Sequence, residues 1–254
     1  LLDCHHPTST SSLGVGRLTL DNNTGVSNTA VGYTALRYNT TGERNTALGY
    51  RTLLNNTTGY RNSCVGHDSM FTNTTGYYNT AIGYQTLYFN TTGKYNVAVG
   101  MQSLYNNTTA SGNTAVGYTA LFSNTGSNNS ALGYAALKDN TTGVSNTALG
   151  YNALLYNTTG IYNNATGYKA LYYNTTGSKN TADGLQSLYN NTTGYENAAN
   201  GYRALFYNTT GRYNAAVGSD SLYNNTTGVS NNAFGRQALN YNTTGSYNNA
   251  FGYQ

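Results

Sequence analysis

The 254-residue sequence predicts an all-β fold, a parallel β-solenoid (β-roll) in which each seventeen-residue sequence repeat forms one turn. Three observations support this prediction. The phrase Asn28–Arg44 starts again at Asn45 and recurs along the chain, one position of the phrase is almost always Leu, and Gly recurs at fixed positions. Because a repeat array has no single compact core, the repeat and not the chain length decides the fold.

Each repeat begins with an asparagine, and the spacing from Asn28 to Asn45 is kept throughout except for one shorter step. That step loses one residue, because Asn124-Thr125-Gly126 replaces Asn-Thr-Thr-Gly. The first residues of the repeats are Asn28, Asn45, Asn62, Asn79, Asn96, Asn113, Asn129, Asn146, Asn163, Asn180, Asn197, Asn214, Asn231 and Asn248. A degenerate copy starts at Ser12. Residues 12–254 therefore predict 14 repeats and a partial fifteenth, preceded by a non-repeating segment or cap at residues 1–11.

The composition of one repeat argues against helices. Gly, Asn and Thr have low helix propensity, and a repeat of two helices needs about 33 residues or more. If the repeat is numbered from 1 at its first Asn, two short strands are predicted at positions 2–6 and 7–11. The Asn-Thr-Thr-Gly segment at positions 12–15 is then a tight corner, in which Gly can adopt positive φ.

Position 9 is the predicted core, together with Ala at position 3 and a small residue at position 8. Its leucines are Leu36, Leu53, Leu87, Leu104, Leu121, Leu137, Leu154, Leu171, Leu188, Leu205, Leu222 and Leu239, with Met70 as the exception. Equivalent residues of adjacent turns stack about 4.8 Å apart. The asparagines of positions 1 and 12 are therefore expected to form amide ladders inside the solenoid.

The first strand is expected to be apolar on both faces. Position 4 is mostly Val, Leu, Ile or Phe, and position 6 is usually Tyr, so the face opposite the core is also apolar. Strands of this kind are covered on both faces. The pattern therefore predicts that the chain associates laterally with copies of itself, as a homotrimer or a filament.

The phrases Asn-Thr-Ala-Val-Gly at Asn28 and Asn-Thr-Ala-Leu-Gly-Tyr at Asn45 resemble two groups of repeats. One is the shorter head repeat of YadA-like trimeric autotransporter adhesins. The other is the repeat of phage tail-fibre and surface-fibre proteins, which also shares the Ala-Leu pair and the Asn-Thr-Thr-Gly corner. This resemblance covers residues 12–254. It implies a left-handed, homotrimeric fibre that is extracellular or on a cell or virion surface, and it implies no catalysis.

Polar residues interrupt position 4 in three successive repeats, at Thr166, Asp183 and Asn200. If position 4 faces a three-fold axis, Asp183 is a weak candidate for an axial ion site, because like carboxylates brought together need protons or a cation. The alternative is that these residues face solvent. The 27 tyrosines leave two interpretations as well, a stacked ladder that covers the solenoid or a surface that binds sugars or proteins.

The Asn-Thr-Thr corner matches the acceptor sequence for Asn-linked glycosylation. The candidate sites are Asn39, Asn56, Asn73, Asn90, Asn107, Asn140, Asn157, Asn174, Asn191, Asn208, Asn225 and Asn242. The internal amide ladder requires the same residue for a different reason. Turns about 4.8 Å apart would also crowd a glycan on every corner.

Composition excludes several classes of function. Only 8% of the residues are charged, the net charge is +4, and no basic stripe or long apolar run is present, so neither nucleic acid nor membrane insertion is expected. Eight acidic residues and three histidines are scattered, which predicts no enzyme and no cofactor. No acidic residue recurs with the period, which excludes a Ca²⁺-binding solenoid.

The best prediction is a structural fibre or filament protein that can bind a surface carbohydrate or a protein receptor. A glycan-coated filament that assembles itself is the first alternative. An ice-binding solenoid with stacked Thr columns is the second.

Overall fold

A computed structural model describes residues 4–5 and 11–253. Within these residues every regular element is a short strand, and turns connect the strands. The chain divides into two compact units, Leu1–Ser127 and Asn128–Gln254. The division lies beside the single repeat that is one residue short. Residues 1–3, 6–10 and 254, which include most of the predicted N-terminal cap, lie outside the described residues.

The first unit contains eight strands. They are β1 Cys4–His5, β2 Leu13–Val15, β3 Thr29–Val31, β4 Thr46–Leu48, β5 Ser63–Val65, β6 Thr80–Ile82, β7 Val97–Val99 and β8 Thr114–Val116. From β2 onward each strand pairs in parallel with the next, in the register of the repeat, so that Ala30 lies opposite Ala47. β1 is antiparallel to β2.

The second unit repeats this arrangement. Its strands are β9 Ser130–Leu132, β10 Thr147–Leu149, β11 Asn164–Thr166, β12 Thr181–Asp183, β13 Ala198–Asn200, β14 Ala215–Val217, β15 Asn232–Phe234 and β16 Asn249–Phe251. All are parallel, and Ala148 lies opposite Ala165. The predicted all-β, parallel β-solenoid, with about 14 turns that each hold one repeat, is confirmed.

The predicted strand boundaries were wrong. The strand covers only positions 2–4, because Gly at position 5 has a φ that ends it, as at Gly49 (φ 138°). Positions 7–11 form turns and not a second strand, since positions 7 and 9 are left-handed, as at Arg51 (φ 51°) and Leu53 (φ 55°). Such a conformation costs a non-glycine residue about 1–2 kcal/mol.

Hydrogen bonds between turns offset this cost. The Arg51 N–H donates to the Tyr33 carbonyl in the preceding turn (3.0 Å), and the Leu53 N–H donates to the Ser69 carbonyl in the following turn (2.9 Å). The left-handed residues of positions 7 and 9 thus direct their amides to opposite neighbouring turns. The backbone of the turns is therefore paired as a strand would be, without strand geometry.

The core is a narrow stack. The position-9 residues that are fully buried are Leu36, Leu53, Met70, Leu87, Leu104, Leu121, Leu137, Leu154, Leu171, Leu188, Leu205 and Leu222. Leu239 is half-buried, because only a partial turn follows it. Ala at position 3 and the small residues of position 8 fill the space between strand and leucine, as Ala47 and Thr52 do.

Two amide ladders flank this core. At position 12, the Asn56 Nδ2 donates to the Asn39 Oδ1 (2.6 Å) and to the Gly59 carbonyl (2.9 Å). At position 1, the Asn62 backbone N–H donates to the Asn45 Oδ1 (3.0 Å). These asparagines are buried, so the ladders satisfy polar groups that water cannot reach.

Candidate binding surfaces

The side chains of positions 4 and 6 form an exposed face on the strand side of each unit, here called the 4/6 face. Position 4 points away from the buried alanine of position 3. In the first unit this column contains Val31, Leu48, Val65 and Ile82, which are 36–43% exposed. Contiguous exposed apolar side chains mark an interaction surface.

Aromatic rings stack along position 6. The ring centroids of Tyr33 and Tyr50 are 5.4 Å apart, and those of Tyr50 and His67 are 4.7 Å apart. In the second unit Tyr134 and Tyr151 stack at 5.0 Å. The rings keep more than a third of their surface exposed, as Tyr50 does at 42%. The ladder therefore covers the solenoid and still presents a flat aromatic strip.

The second unit carries the predicted polar interruption of this face. Thr166, Asp183 and Asn200 are adjacent in register on β11, β12 and β13. Asp183 is exposed and makes no salt bridge with any described residue. Among the residues that the structure describes, no group of three His, Cys, Asp or Glu could hold a metal ion. Within one chain, Asp183 is thus a single carboxylate between two uncharged polar residues of the column.

A groove of about 1050 Å³ follows the asparagine corner of the second unit, and we call it the corner groove. Its lining is mostly apolar and comes from positions 11 and 13. The lining residues are Asp139, Tyr156, Thr158, Tyr173, Thr175, Asn190, Thr192, Tyr207, Thr209, Asn224, Thr226 and Thr243. The groove lies on different columns of the repeat from the 4/6 face.

A second aromatic column, at position 10, supports the groove. Tyr172, Tyr189, Phe206 and Tyr223 stack with centroids 5.0–5.3 Å apart. The position-11 rings meet this column edge-on, as Tyr173 does against Tyr172 (4.7 Å). Burial raises the pKa of the Tyr172 and Tyr189 phenols, so these groups remain neutral well above physiological pH.

An arginine at position 7 connects adjacent turns in both units. Arg51 makes a bidentate pair with the buried carboxylate of Asp68 (2.7 Å for both bonds), and this pairing raises the pKa of Arg51. The same guanidinium lies over the rings of Tyr50 and Phe71. The sequence reasoning missed this cluster, although Arg51 and Asp68 are one full repeat apart and therefore occupy the same position of adjacent repeats.

The second unit has an equivalent cluster. Arg203 lies 2.9 Å from the Asp220 carboxylate and over the rings of Tyr202 and Tyr223. All four residues occupy the same positions of the repeat as those around Arg51. Their recurrence indicates a structural clamp between adjacent turns.

The glycosylation candidates are part of the internal ladder. Eleven of them are fully buried, namely Asn39, Asn56, Asn73, Asn90, Asn107, Asn140, Asn157, Asn174, Asn191, Asn208 and Asn225. Asn242, in the last full turn, is half-buried. In Asn157, for example, Nδ2 donates to both the Asn140 Oδ1 and the Gly160 carbonyl. A glycan on such a nitrogen would replace one donor and has no space in the folded turn.

Comparison with protein-family models, with curated proteins and with solved structures finds no match to this chain. The class that the geometry defines is a β-solenoid repeat protein. Among the described residues there is no helix long and apolar enough to cross a membrane.

Proposed function

We propose that this chain is the subunit of a structural fibre or filament at a cell or virion surface, and that copies associate laterally through the 4/6 face. The observation that carries the proposal is the apolar column of position 4, which runs beside the tyrosine column of position 6. Because this column is exposed in the single chain, we expect a partner to cover it whose apolar side chains have the same spacing between turns. A second copy has that spacing by construction.

The chemistry of the face suits self-association. The position-4 column of the first unit carries no charge from Val31 to Val116. Fully burying a Val, Leu or Ile side chain contributes about 1.5–3 kcal/mol, and these side chains are already half covered by their own chain. Several turns must therefore be buried together for a stable contact. A cyclic arrangement around one axis brings all turns of the column into contact at once.

A left-handed solenoid that forms a homotrimer is the arrangement that the resemblance to adhesin heads and tail fibres implies. The proposal includes no catalysis. Among the described residues, the buried carboxylate of Asp68 is neutralised by Arg51, and the corner groove contains a single carboxylate, that of Asp139. A fibre that presents a binding surface fits these features better than an enzyme does.

The alternative functions receive less support. Asn-linked glycans would have to occupy the internal ladder, as described above. For ice binding, the hydroxyls of position 13 donate to carbonyls of the next turn, as Thr175 does to Thr192 (3.1 Å). Of the two adjacent threonine columns at the corner, position 14 is then the one that presents its hydroxyls to water. A flat array of two threonine columns is not formed.

Native mass by light scattering, with electron microscopy of the same sample, tests the proposal. We expect a mass of three chains or a filament for the wild type. Ile82→Asp should reduce the mass to that of one chain, because a carboxylate buried in the contact costs several kcal/mol. Tyr105→Phe, on a different column, is the matched control and should leave the mass unchanged. A monomeric wild type with normal circular dichroism would overturn the proposal.

The polar interruption offers a second test. Asp183→Val removes the one carboxylate from the polar interruption of the second unit, so we expect the assembly to dissociate at lower protein concentration than the wild type. The reason is that three carboxylates near one axis repel one another or must be neutralised. Light scattering over a dilution series measures this change. Equal dissociation of variant and wild type would place Asp183 outside the contact.

A further inference from the structure

The corner groove has a sequence pattern of its own. From Tyr173 to Tyr241, position 11 alternates between tyrosine and asparagine, as Tyr173, Asn190, Tyr207, Asn224 and Tyr241. Like residues are two turns apart, which is about 9–10 Å at the spacing of paired strands. In the first unit the corresponding column holds Tyr38, Asn55, Thr72, Phe89, Asn106 and Ser123 and lacks this alternation.

The tyrosines of the groove are fixed platforms. Tyr173 packs edge-on against Tyr172 (4.7 Å between centroids), and Tyr207 packs in the same way against Phe206 (4.8 Å). Both rings nevertheless remain more than 40% exposed. A ring that is held in place before binding loses little conformational entropy when a ligand stacks on it.

The asparagines between them are fixed acceptors. Asn190 Nδ2 donates to the Phe206 carbonyl (3.1 Å), and Asn224 Nδ2 donates to the Asn240 carbonyl (2.9 Å). No described residue donates to the Oδ1 of either side chain. The bond from Nδ2 therefore fixes the orientation of each side-chain amide, and Oδ1 can accept a hydrogen bond from a hydroxyl group of a ligand.

The threonines of the groove contribute apolar surface. The hydroxyls of Thr158, Thr175, Thr192, Thr209 and Thr226 each donate to the carbonyl of the equivalent residue in the next turn (3.0–3.2 Å). Their methyl groups are what remains for a ligand to contact. No Lys, Arg or His lines the groove, and its single carboxylate, Asp139, lies at one end. The groove thus favours an uncharged ligand with apolar faces and hydroxylated edges.

We propose that the corner groove binds a linear, uncharged β-1,4-linked hexose chain. In such a chain each sugar ring is turned over relative to the previous one, so every second ring presents the same face to one side. This period of two sugars is close to the two-turn spacing of Tyr173 and Tyr207. Pyranose faces would stack on these rings, and hydroxyls would donate to Asn190 and Asn224. The inference rests on the proposed function, since it names the ligand class of the fibre.

The test uses the full chain and two neutral hexasaccharides, β-1,4-linked glucose and β-1,4-linked N-acetylglucosamine, titrated by calorimetry. We expect saturable binding of at least one of them. The corresponding disaccharide should bind more weakly because it spans a single platform. Maltohexaose should also bind more weakly, because its α-1,4 linkage coils the chain. Absence of binding by both hexasaccharides, or equal binding of maltohexaose, would overturn the inference.

Variants locate the site. Tyr207→Ala should raise Kd roughly tenfold, the factor expected from losing one stacked ring. Tyr207→Phe keeps the ring and should bind like the wild type, and circular dichroism of Tyr207→Ala checks that the alanine variant is folded. Tyr38→Ala removes a tyrosine from the same position of a repeat in the first unit and should not change Kd. Wild-type affinity in Tyr207→Ala would contradict the assignment.

Light scattering of the same variants separates the two proposals. If the wild type forms an assembly and the hexasaccharides do not bind, lateral association stands and the ligand assignment fails. If Tyr207→Ala also reduces the native mass, the groove is a contact between copies of the chain, and the ligand assignment is overturned.

Discussion

At the scale of single residues, the solenoid has positions that accept only one residue type or one close substitute. A Cβ added to Gly49 would overlap the carbonyl oxygen of Gly66, and the φ of Gly49 (138°) is one that L-residues rarely adopt. Position 9 is less strict, since Met70 replaces leucine and remains fully buried. The sequence pattern predicted the buried leucine column, but it placed the glycine of position 5 inside a strand and not at its end.

Leu171→Ala should lower the free energy of unfolding by about 2–5 kcal/mol, because it leaves a cavity beneath two neighbouring turns. Thermal and urea unfolding followed by circular dichroism measure the loss. Leu239→Ala is the matched control, since its side chain is already half exposed and should cost clearly less. Equal losses in the two variants would contradict the stacked core.

Stability should fall at alkaline pH because of the position-10 tyrosines. Burial raises the pKa of Tyr172, Tyr189 and Tyr223 in the folded chain, so the folded state favours the neutral phenol. Their contribution is complete below the ordinary phenol pKa of about 10 and is lost as pH rises through the higher folded values. Phenolate absorbance during a pH titration measures this. Tyr189→Phe should remove part of the late titration.

At the scale of elements, sequence reasoning placed the corner and both ladders correctly. It extended the first strand to position 6, expected positive φ at the corner glycine and not at position 5, and assigned a second strand to positions 7–11. The residue types at these positions gave no sign that the assignment was wrong. Position 7 holds Thr34, Arg51, Asp68, Gln85 and Ala135, and none of these types favours positive φ as glycine does. The left-handed conformation follows from hydrogen bonding to the turns on either side, and a single repeat does not contain that information.

The arginine clamp between turns escaped prediction for a related reason, since it becomes visible only when adjacent repeats are aligned. A double-mutant cycle of Arg51→Met and Asp68→Asn should give a coupling of about 1–2 kcal/mol. This is less than for a fully buried pair, because the Arg51 side chain is 36% exposed. Chemical unfolding measures the coupling. The cycle for the exposed pair Lys179 and Glu196 should show none within error, and a similar value there would contradict the clamp.

At the scale of the whole molecule, each turn is stabilised by its immediate neighbours, which makes the array tolerant of changes in length. The two candidate surfaces differ in how far the sequence predicted them. The 4/6 face could be predicted from the apolar residues of position 4. The corner groove could not be predicted. Its lining residues at positions 11 and 13 come together only because the asparagine between them is buried.

Deleting residues 163–179, one complete repeat, should leave the circular dichroism spectrum and the melting temperature close to those of the wild type. The reason is that stability in such arrays is nearly a sum over neighbouring repeats. Deleting residues 163–170 removes half a repeat and shifts every later leucine out of register, so it should unfold the second unit. Thermal melts of both variants provide the measurement, and similar melts would refute the repeat as the unit of stability.

The amide ladders also give the stack a direction. At position 12, Nδ2 of most asparagines donates to the asparagine of the preceding turn, as Asn56 does to Asn39 and Asn157 does to Asn140. At position 1, Asn62 donates to Asn45 in the same sense. If the stack is opened between two turns, one new surface therefore presents only ladder donors and the other only ladder acceptors. Two such surfaces can rejoin head to tail, whereas two identical surfaces cannot pair, so turns can be added or exchanged in one orientation alone.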